Sequence, residues 1–350
     1  MASALRVIAG AKARAHIEQN GLRAEDIRVM VGASGGPKWL SMARLDEFLF
    51  GEFFADRQTP LHLIGSSAGA WRFSCFAQRD PAAASRRFAE GYQHICYAPG
   101  MSFDDITRHT HGLLDVVLPD AEAVAAVINN PVIKLNLIAC RAKGLNASLN
   151  RAAQMAGLLM TATANAVSRR SLGAFYERTL FEAPGASAPF RQLHDLPTQV
   201  VALNEDNLRP AVLASGAIPL VLAGIADIPG ATPGLYYDGG ITDYHFDIPF
   251  CDDGLVLYPH FYSQVVPGWF DKSLRWRKPN PRHYDNVVML CPSAQWVASL
   301  PQGRIPDRRD FSRLSDAQRI REWGEIMARS EQLVEDLQRL LDGDLSALIA

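Results

Sequence analysis

LIGSSAGAW, residues 63–71, sets a short apolar run against a serine bracketed by glycines: Gly65, Ser67 and Gly69 form G-x-S-x-G. An apolar run that ends this way and continues as Ala-Gly-Ala-Trp reads as a strand turning directly into a helix. In that setting the pattern is a nucleophile elbow. The tight turn forces strained dihedrals on the serine, the glycines let neighbouring backbone pass without a Cβ, and Oγ projects beyond the sheet. The pentapeptide alone is common by chance, so its meaning depends on what surrounds it.

Working outward, apolar runs of strand length recur at IRVMVG (27–32), LHLIGS (61–66), VIKLNLIA (132–139), TQVVAL (198–203), LYYDGG (235–240), LVLYPH (255–260) and NVVMLC (286–291). Longer stretches of helical character separate them. Asp80 before Pro81 supplies a cap and an N1 proline, and Pro37 does the same for a helix over 38–50 that Gly51 closes. The alternation is that of an α/β protein with a mostly parallel sheet covered by helices. After a polar, proline-bearing stretch at 301–309, Ile320, Trp323, Met327, Val334, Leu337 and Leu341 recur at helical spacing and predict a long amphipathic C-terminal helix. Residues 1–300 therefore read as the main domain and 301–350 as a helical extension packed on it. RAAQMAGLLMTATANAV (151–167) reads as a buried helix, with the wall of an acyl-chain pocket as its functional alternative.

Composition narrows the function. A chain of 350 residues, 48% hydrophobic, can bury a large core, and 35 basic against 37 acidic residues give no electrostatic reason to expect nucleic acid. Five cysteines with no C-x-x-C pair suggest neither a disulfide framework nor a zinc site. No histidine or carboxylate spacing has metal-ligand logic, and no cofactor is expected. The N-terminal stretch is too weakly apolar for a signal segment, and no run approaches the roughly 18 apolar residues of a membrane span. A cytoplasmic protein with a small or apolar partner is expected.

Two further motifs bear on the serine. VMVGASGGPKWL (29–40) invites a phosphate-loop reading, but counting from Gly32 puts Pro37 where the second glycine belongs and Trp39 where the Mg²⁺-binding hydroxyl belongs. A dinucleotide fingerprint fails too, with Ser34 at its second glycine. A serine nucleophile needs donors for the oxyanion it creates, and Gly35 and Gly36 ahead of a helix can supply backbone N–H groups, with Lys38 as a second contributor. YYDGGITD (236–243) ends a strand in Asp238, Gly239 and Gly240, a turn that presents a carboxylate where sites collect in open α/β sheets. Read alone, it is an ordinary Asp-Gly turn.

In this order, G-G-x-K, G-x-S-x-G and D-G-G resemble the patatin-like phospholipase family. LASGAIPLVL (213–222) resembles the small-residue segment that precedes the last motif there, so the resemblance covers roughly residues 27–250. It implies a three-layer α/β/α sandwich and a Ser–Asp dyad: Ser67 attacks an ester carbonyl, Asp238 acts as base and then acid, and the glycine loop forms the oxyanion hole. The expected activity is that of a serine acyl-hydrolase on a lipid or other hydrophobic ester by way of an acyl-enzyme. The chain departs from the family's longer glycine run, with Ala33 and Ser34 before Gly35 and Trp39 after Lys38, which puts the shape of the entrance in question.

An exposed aspartate is a poor base toward a serine hydroxyl, so the dyad requires a secluded Asp238 within hydrogen-bond reach of Ser67 Oγ. The rival mechanism is a Ser-Asp-His triad using His245, His260 or His283. The rival function is a non-catalytic lipid- or protein-binding member of the fold. Acyl transfer to an alcohol stays open beside hydrolysis. Peripheral membrane contact is a further expectation, with VVPGWFDKSLRWRKP (265–279) as its candidate segment and inward packing of its aromatics as the alternative.

Overall fold

The apolar runs of the sequence lie side by side. In the computed structural model, which describes residues 3–97, 101–185, 187–191 and 193–349, the described strands form one sheet. They are β1 (Leu5–Ala9), β2 (Ile27–Gly32), β3 (Leu61–Ser66), β4 (Ile133–Ala142), β5 (Tyr176–Glu182), β6 (Thr198–Ala202), β7 (Ile225–Ala226), β8 (Leu235–Asp238), β9 (Leu255–Pro259), β10 (Val287–Pro292) and β11 (Leu348–Ile349). The path runs β11-β1-β10-β9-β2-β3-β4-β5-β6. Neighbours from β10 to β4 are parallel, and antiparallel pairing enters at β1/β10, β4/β5 and β8. β2, β3, β9 and β10 are almost wholly buried, as strands covered on both faces must be. This is the α/β fold with a mostly parallel central sheet that the sequence predicts.

Four strands escape the hydrophobic pattern. β7 and β11 have two residues each, and β1 is a short run close to the N-terminus. β5 hides because it carries Arg178, whose guanidinium is buried and paired bidentately with Asp243 at 2.7 and 2.9 Å.

The helices that position the site are α1 (Ala68–Phe76), α2 (Pro81–Gln93), α3 (Arg151–Val167), α4 (Leu208–Gly216), α5 (Asp316–Arg329) and α6 (Glu331–Leu341). α2 starts as predicted, with the Asp80 carboxylate accepting from Ala83 N at 3.0 Å and Pro81 at N1. The segment after Pro37 differs from the expected single helix. It is a 3₁₀ turn (Gly36–Met42), a short α-helix (Ala43–Phe48) and a wide π turn (Leu49–Phe53) that contains Gly51 rather than ending at it. A Cβ on Gly51 would stand 2.9 Å from Ala82 Cβ, so this glycine serves close approach to α2.

The C-terminal apolar periodicity spans two helices, α5 and α6. At the junction Ser330 Oγ donates to Met327 O at 2.6 Å and accepts from Arg44 N at 3.0 Å, which ties the break to the helix following the glycine loop. Trp323 and Leu337 are buried, and β11 pairs in parallel with β1.

Candidate active site

β3 ends at Ser66, α1 begins at Ala68, and Ser67 between them has φ 51° and ψ −125°. That is a strained conformation for a residue with a Cβ, of the kind that costs about 1–3 kcal/mol and persists only where neighbours enforce it. The enforcement is visible. A Cβ on Gly69 would sit 1.9 Å from Gly32 O, and one on Gly65 would sit 2.6 Å from Gly69 C, so α1 lies directly against the ends of β2 and β3. Ser67 N donates to Ser215 Oγ at 2.9 Å, and that hydroxyl donates to Ile138 O at 2.7 Å.

Sheet register brings the carboxylate to the serine. β3 pairs with β4 from Leu61/Ile133 to Ser66/Ile138, and the next residue of β4, Ala139, pairs with Asp238 of antiparallel β8. β8 therefore occupies the edge of β4 where β3 leaves it, end to end with the elbow. Ser67 Oγ donates to Asp238 Oδ2 at 2.8 Å, and Gly240 N donates to Oδ1 at 2.7 Å. Asp238 N donates to Ala217 O at 2.8 Å, and a Cβ on Gly239 would meet Ile138 O at 2.0 Å, so this turn tolerates no bulk. Ser67 is 4% and Asp238 7% exposed. Burial pushes the Asp238 carboxyl up, against the opposing pull of Arg308, the Gly240 N–H and the Ser67 hydroxyl.

The glycine loop borders the same serine. Gly35, in extended backbone, shares one cavity with Ser67, and Gly36, at φ 57°, shares another. The opening residues of a helical turn have no partner within the turn for their N–H groups. The loop is fixed from behind, since Ser34 N donates to Tyr244 O at 2.8 Å and Ser66 Oγ, 2.8 Å from Ser34 Oγ, donates to Asp243 O at 2.6 Å.

Lys38 lies at the wall of the cleft, where its Nζ donates to Asp307 Oδ2 at 2.8 Å. Burial works to raise the Asp307 carboxyl, but Lys38 and Arg309 together hold it well below the usual carboxylate range. Trp39, expected at the entrance, is instead fully buried and stacks on Phe88 with ring centroids 4.6 Å apart. It lies behind the pocket wall because the 3₁₀ turn directs it into the core.

Two cavities meet at Ser67. One is a polar cleft of about 170 Å³, to which Lys38, Tyr244, Trp269, Lys272, Asp307 and Arg308 contribute. Lys272 is surface-exposed as a residue, yet its ammonium is tucked 3.9 Å from the Tyr244 ring centroid. Desolvation there, with Arg308 and Lys38 nearby, brings its pKa down to about 7. The other cavity is apolar, about 320 Å³, walled by Trp71, Phe88, Leu113, Leu222 and Phe311, and Arg308 stands at the border of both. α3, read as buried or as a pocket wall, lines neither and turns its apolar side outward. Its inward positions hold Gln154, Thr161 and Asn165, which bond inward, beside Gly157 and Leu158, while Met155, Leu159 and Met160 are exposed.

The histidines face elsewhere. His245 Nδ1 accepts from Val266 N at 3.0 Å, His260 engages the backbone of Tyr262, and His283 bonds Asp247 at 2.8 Å. None lines either cavity, and burial drives His260 down to about 3. In the segment 265–279, Trp269 turns into the cleft while Trp276 is 67% exposed. No described helix is long and apolar enough to cross a membrane, and no group of three or more metal-ligating side chains is assembled among the described residues.

The sequence reading missed Ser215, Tyr244, Lys272, Asp307 and Arg308. Ser215 stands within LASGAIPLVL, and Lys272 within the segment 265–279. Asp307 and Arg308 fall in the polar, proline-bearing stretch at 301–309, which carries no motif.

No protein-family profile and no curated protein matches the chain. Among solved structures it is similar to VipD from Legionella pneumophila, with a TM-score of 0.40 and 13% identity over 91% of this chain and 67% of that one. It is also similar to human GIVD cytosolic phospholipase A2, with a TM-score of 0.35 and 10% identity over 95% of this chain and 63% of that one. The chain thus spans about two thirds of the length of each. At such scores the reading of the site rests on its own geometry.

Proposed function

We propose that the protein is a serine acyl-hydrolase that cleaves carboxylic esters of lipids, with Ser67 as nucleophile and Asp238 as general base and acid. The observation that carries this reading is the 2.8 Å hydrogen bond from a strained, secluded Ser67 hydroxyl to a buried carboxylate, at the junction of an apolar and a polar cavity. As Ser67 Oγ attacks the ester carbonyl, its proton passes to Asp238 Oδ2. The raised proton affinity of a desolvated carboxylate favours that transfer.

The negative charge on the former carbonyl oxygen falls to the backbone N–H groups of Gly35 and Gly36. Collapse of the tetrahedral intermediate expels the alcohol, which takes the proton from Asp238 and leaves an ester on Ser67. Water then attacks this acyl-enzyme, gives its proton to Asp238, and releases the acid as the proton returns to Ser67 Oγ. The apolar pocket suits the acyl chain, and the cleft beside Lys272 and Arg308 suits the polar part of the substrate.

A fluorophosphonate probe tests the reading directly. Wild-type protein is expected to be labelled and Ser67→Ala to be silent at unchanged melting temperature. A wild type that stays unlabelled would overturn the enzymatic reading in favour of a binding role.

A further inference from the structure

We propose that the outward side of α3, together with Trp276, is a docking surface for an anionic lipid bilayer. The inward positions of this helix hold Gln154, Gly157, Leu158, Thr161 and Asn165, and its exposed positions include Met155, Leu159 and Met160 at 47%, 63% and 53%. Leu149, just before the helix, and Val167, at its end, are each 87% exposed. Positions 155 and 159 lie one turn apart and 160 follows about 100° further round, so the three lie on the half of the helix opposite the centre of its buried positions.

The polarity is inverted because the inner face is held by hydrogen bonds. Gln154 Nε2 donates to Tyr237 OH at 2.7 Å, Thr161 Oγ1 accepts from Asn146 Nδ2 at 3.0 Å, and Asn165 Nδ2 donates to Asp271 Oδ1 at 2.7 Å. Several large apolar side chains exposed on one side of a helix are the kind of surface that serves interaction.

Charge selects the occupant. Between Ala142 and Tyr176 the chain carries Lys143, Arg151, Arg169 and Arg170 and no acidic residue; Arg169 turns inward to Asp271 and Asp243 at 3.6 and 3.8 Å, while Arg170 is exposed. Of the four cations from 264 to 280, Lys272 belongs to the cleft and Arg277 lies 3.4 Å from the buried Asp271, which leaves Arg275 and Lys278, both exposed. Arg277 Nη2 donates to Asn165 O at 2.6 Å, which fixes that second segment, with the exposed Trp276, beside the end of α3. An apolar face rimmed by cations and flanked by an indole is the arrangement that inserts at the headgroup level of an anionic membrane. A second copy of the chain fits worse, since a two-fold contact across this face would set cation against cation.

The location fits a lipid substrate. Arg151 Nη2 donates to Leu220 O at 3.2 Å, next to Ile218 and Pro219 of the cleft, and Asp271 neighbours Trp269 and Lys272 of the same cleft. The inference extends the acyl-hydrolase reading by naming where substrate is drawn from, but vesicle binding is read without turnover and stands or falls separately.

The test is co-sedimentation of the full chain with phosphatidylcholine vesicles, with and without admixed phosphatidylserine. Wild type is expected to pellet with the mixed vesicles and only weakly with the neutral ones. The double variant Leu159→Asp, Met160→Asp should lose on the order of tenfold or more in partitioning, and Arg275→Gln roughly fivefold. Both should keep the wild-type melting temperature and wild-type probe labelling. Failure of the wild type to bind mixed vesicles, or equal binding by the double variant, would overturn the proposal. So would a wild-type dimer in sedimentation equilibrium that the double variant converts to monomer, which would make the face a protein interface.

Discussion

α1 and α3 are both mostly apolar helices, and they bury opposite kinds of side chain. Every residue of α1, AGAWRFSCF, is buried, and its one charge, Arg72, is answered by Asp46 at 2.6 and 2.5 Å. α3 is far richer in alanine and aliphatic residues, yet it buries Gln154, Thr161 and Asn165 beside Gly157 and Leu158 and exposes Met155, Leu159, Met160 and Val167. The difference lies in what each inner face meets. α1 meets the ends of β2 and β3 at glycine contacts that admit no side chain, which is how Ser67 is held in its strained turn. α3 meets the Tyr237 hydroxyl, the Asn146 amide and the Asp271 carboxylate, partners that select polar residues. Apolar content alone therefore does not say which face of a helix is the core.

The sharpest way to break the contrast is at the start of α1. Ser67→Ala should lower hydrolysis of a soluble p-nitrophenyl ester on the order of 10⁴-fold or more, because it removes the hydroxyl proposed to form the acyl-enzyme. Leu159→Gln on α3 should leave that rate within about twofold, being outside both cavities. Comparable losses in the two variants would mean that α3, not the elbow alone, shapes the reaction centre.

Next in size is stability. Gly69→Ala puts a Cβ 1.9 Å from Gly32 O, where only backbone can yield, and should cost about 3 kcal/mol or more in denaturant unfolding. A cost below about 1 kcal/mol would show that α1 can back away from the sheet and that the strain at Ser67 is not imposed by this contact.

The contrast also marks what was legible in the sequence. The elbow, the glycine loop and the Asp238 turn could be read because each is local: a few residues with a fixed backbone requirement. The sheet could be read wherever strands are covered on both faces and so run apolar. The polarity of α3 could not, since the partners of Gln154 and Asn165 are Tyr237 and Asp271, distant in sequence. β5 stayed hidden for the same reason, its buried Arg178 being matched by Asp195 and Asp243. Arg308 reaches the cleft through the packing of the C-terminal segment, a placement that no local pattern encodes.

Titration separates the two sides of the molecule as well. His260, fully buried on the core side, is held neutral with its pKa near 3 by desolvation. The unfolded chain takes up a proton near pH 6.5 and the folded one does not, so stability from this group is complete above about 6.5 and is lost as pH falls toward 3. The slope reaches about 1.4 kcal/mol per pH unit within that window. Denaturant midpoints should fall between about pH 6 and pH 5, less steeply in His260→Gln. Lys272 at the cleft loses its charge near pH 7 instead, which should raise KM for an anionic ester above that pH while leaving a neutral ester unaffected.

The smallest expected effect tests the contrast most directly. Leu159 is 63% exposed, so most of its apolar surface already meets water, and replacing it with glutamine transfers little area between phases. Leucine and glutamine also have nearly equal helix propensity, which removes the backbone contribution. Leu159→Gln should therefore change the unfolding free energy by no more than about 0.5 kcal/mol, whereas Leu63→Ala in the buried β3 should cost about 2–5 kcal/mol. A core-sized loss at Leu159 in dilute, lipid-free solution would mean that this side of α3 is covered in the folded protein. The two helices would then differ in their partners and not in their exposure.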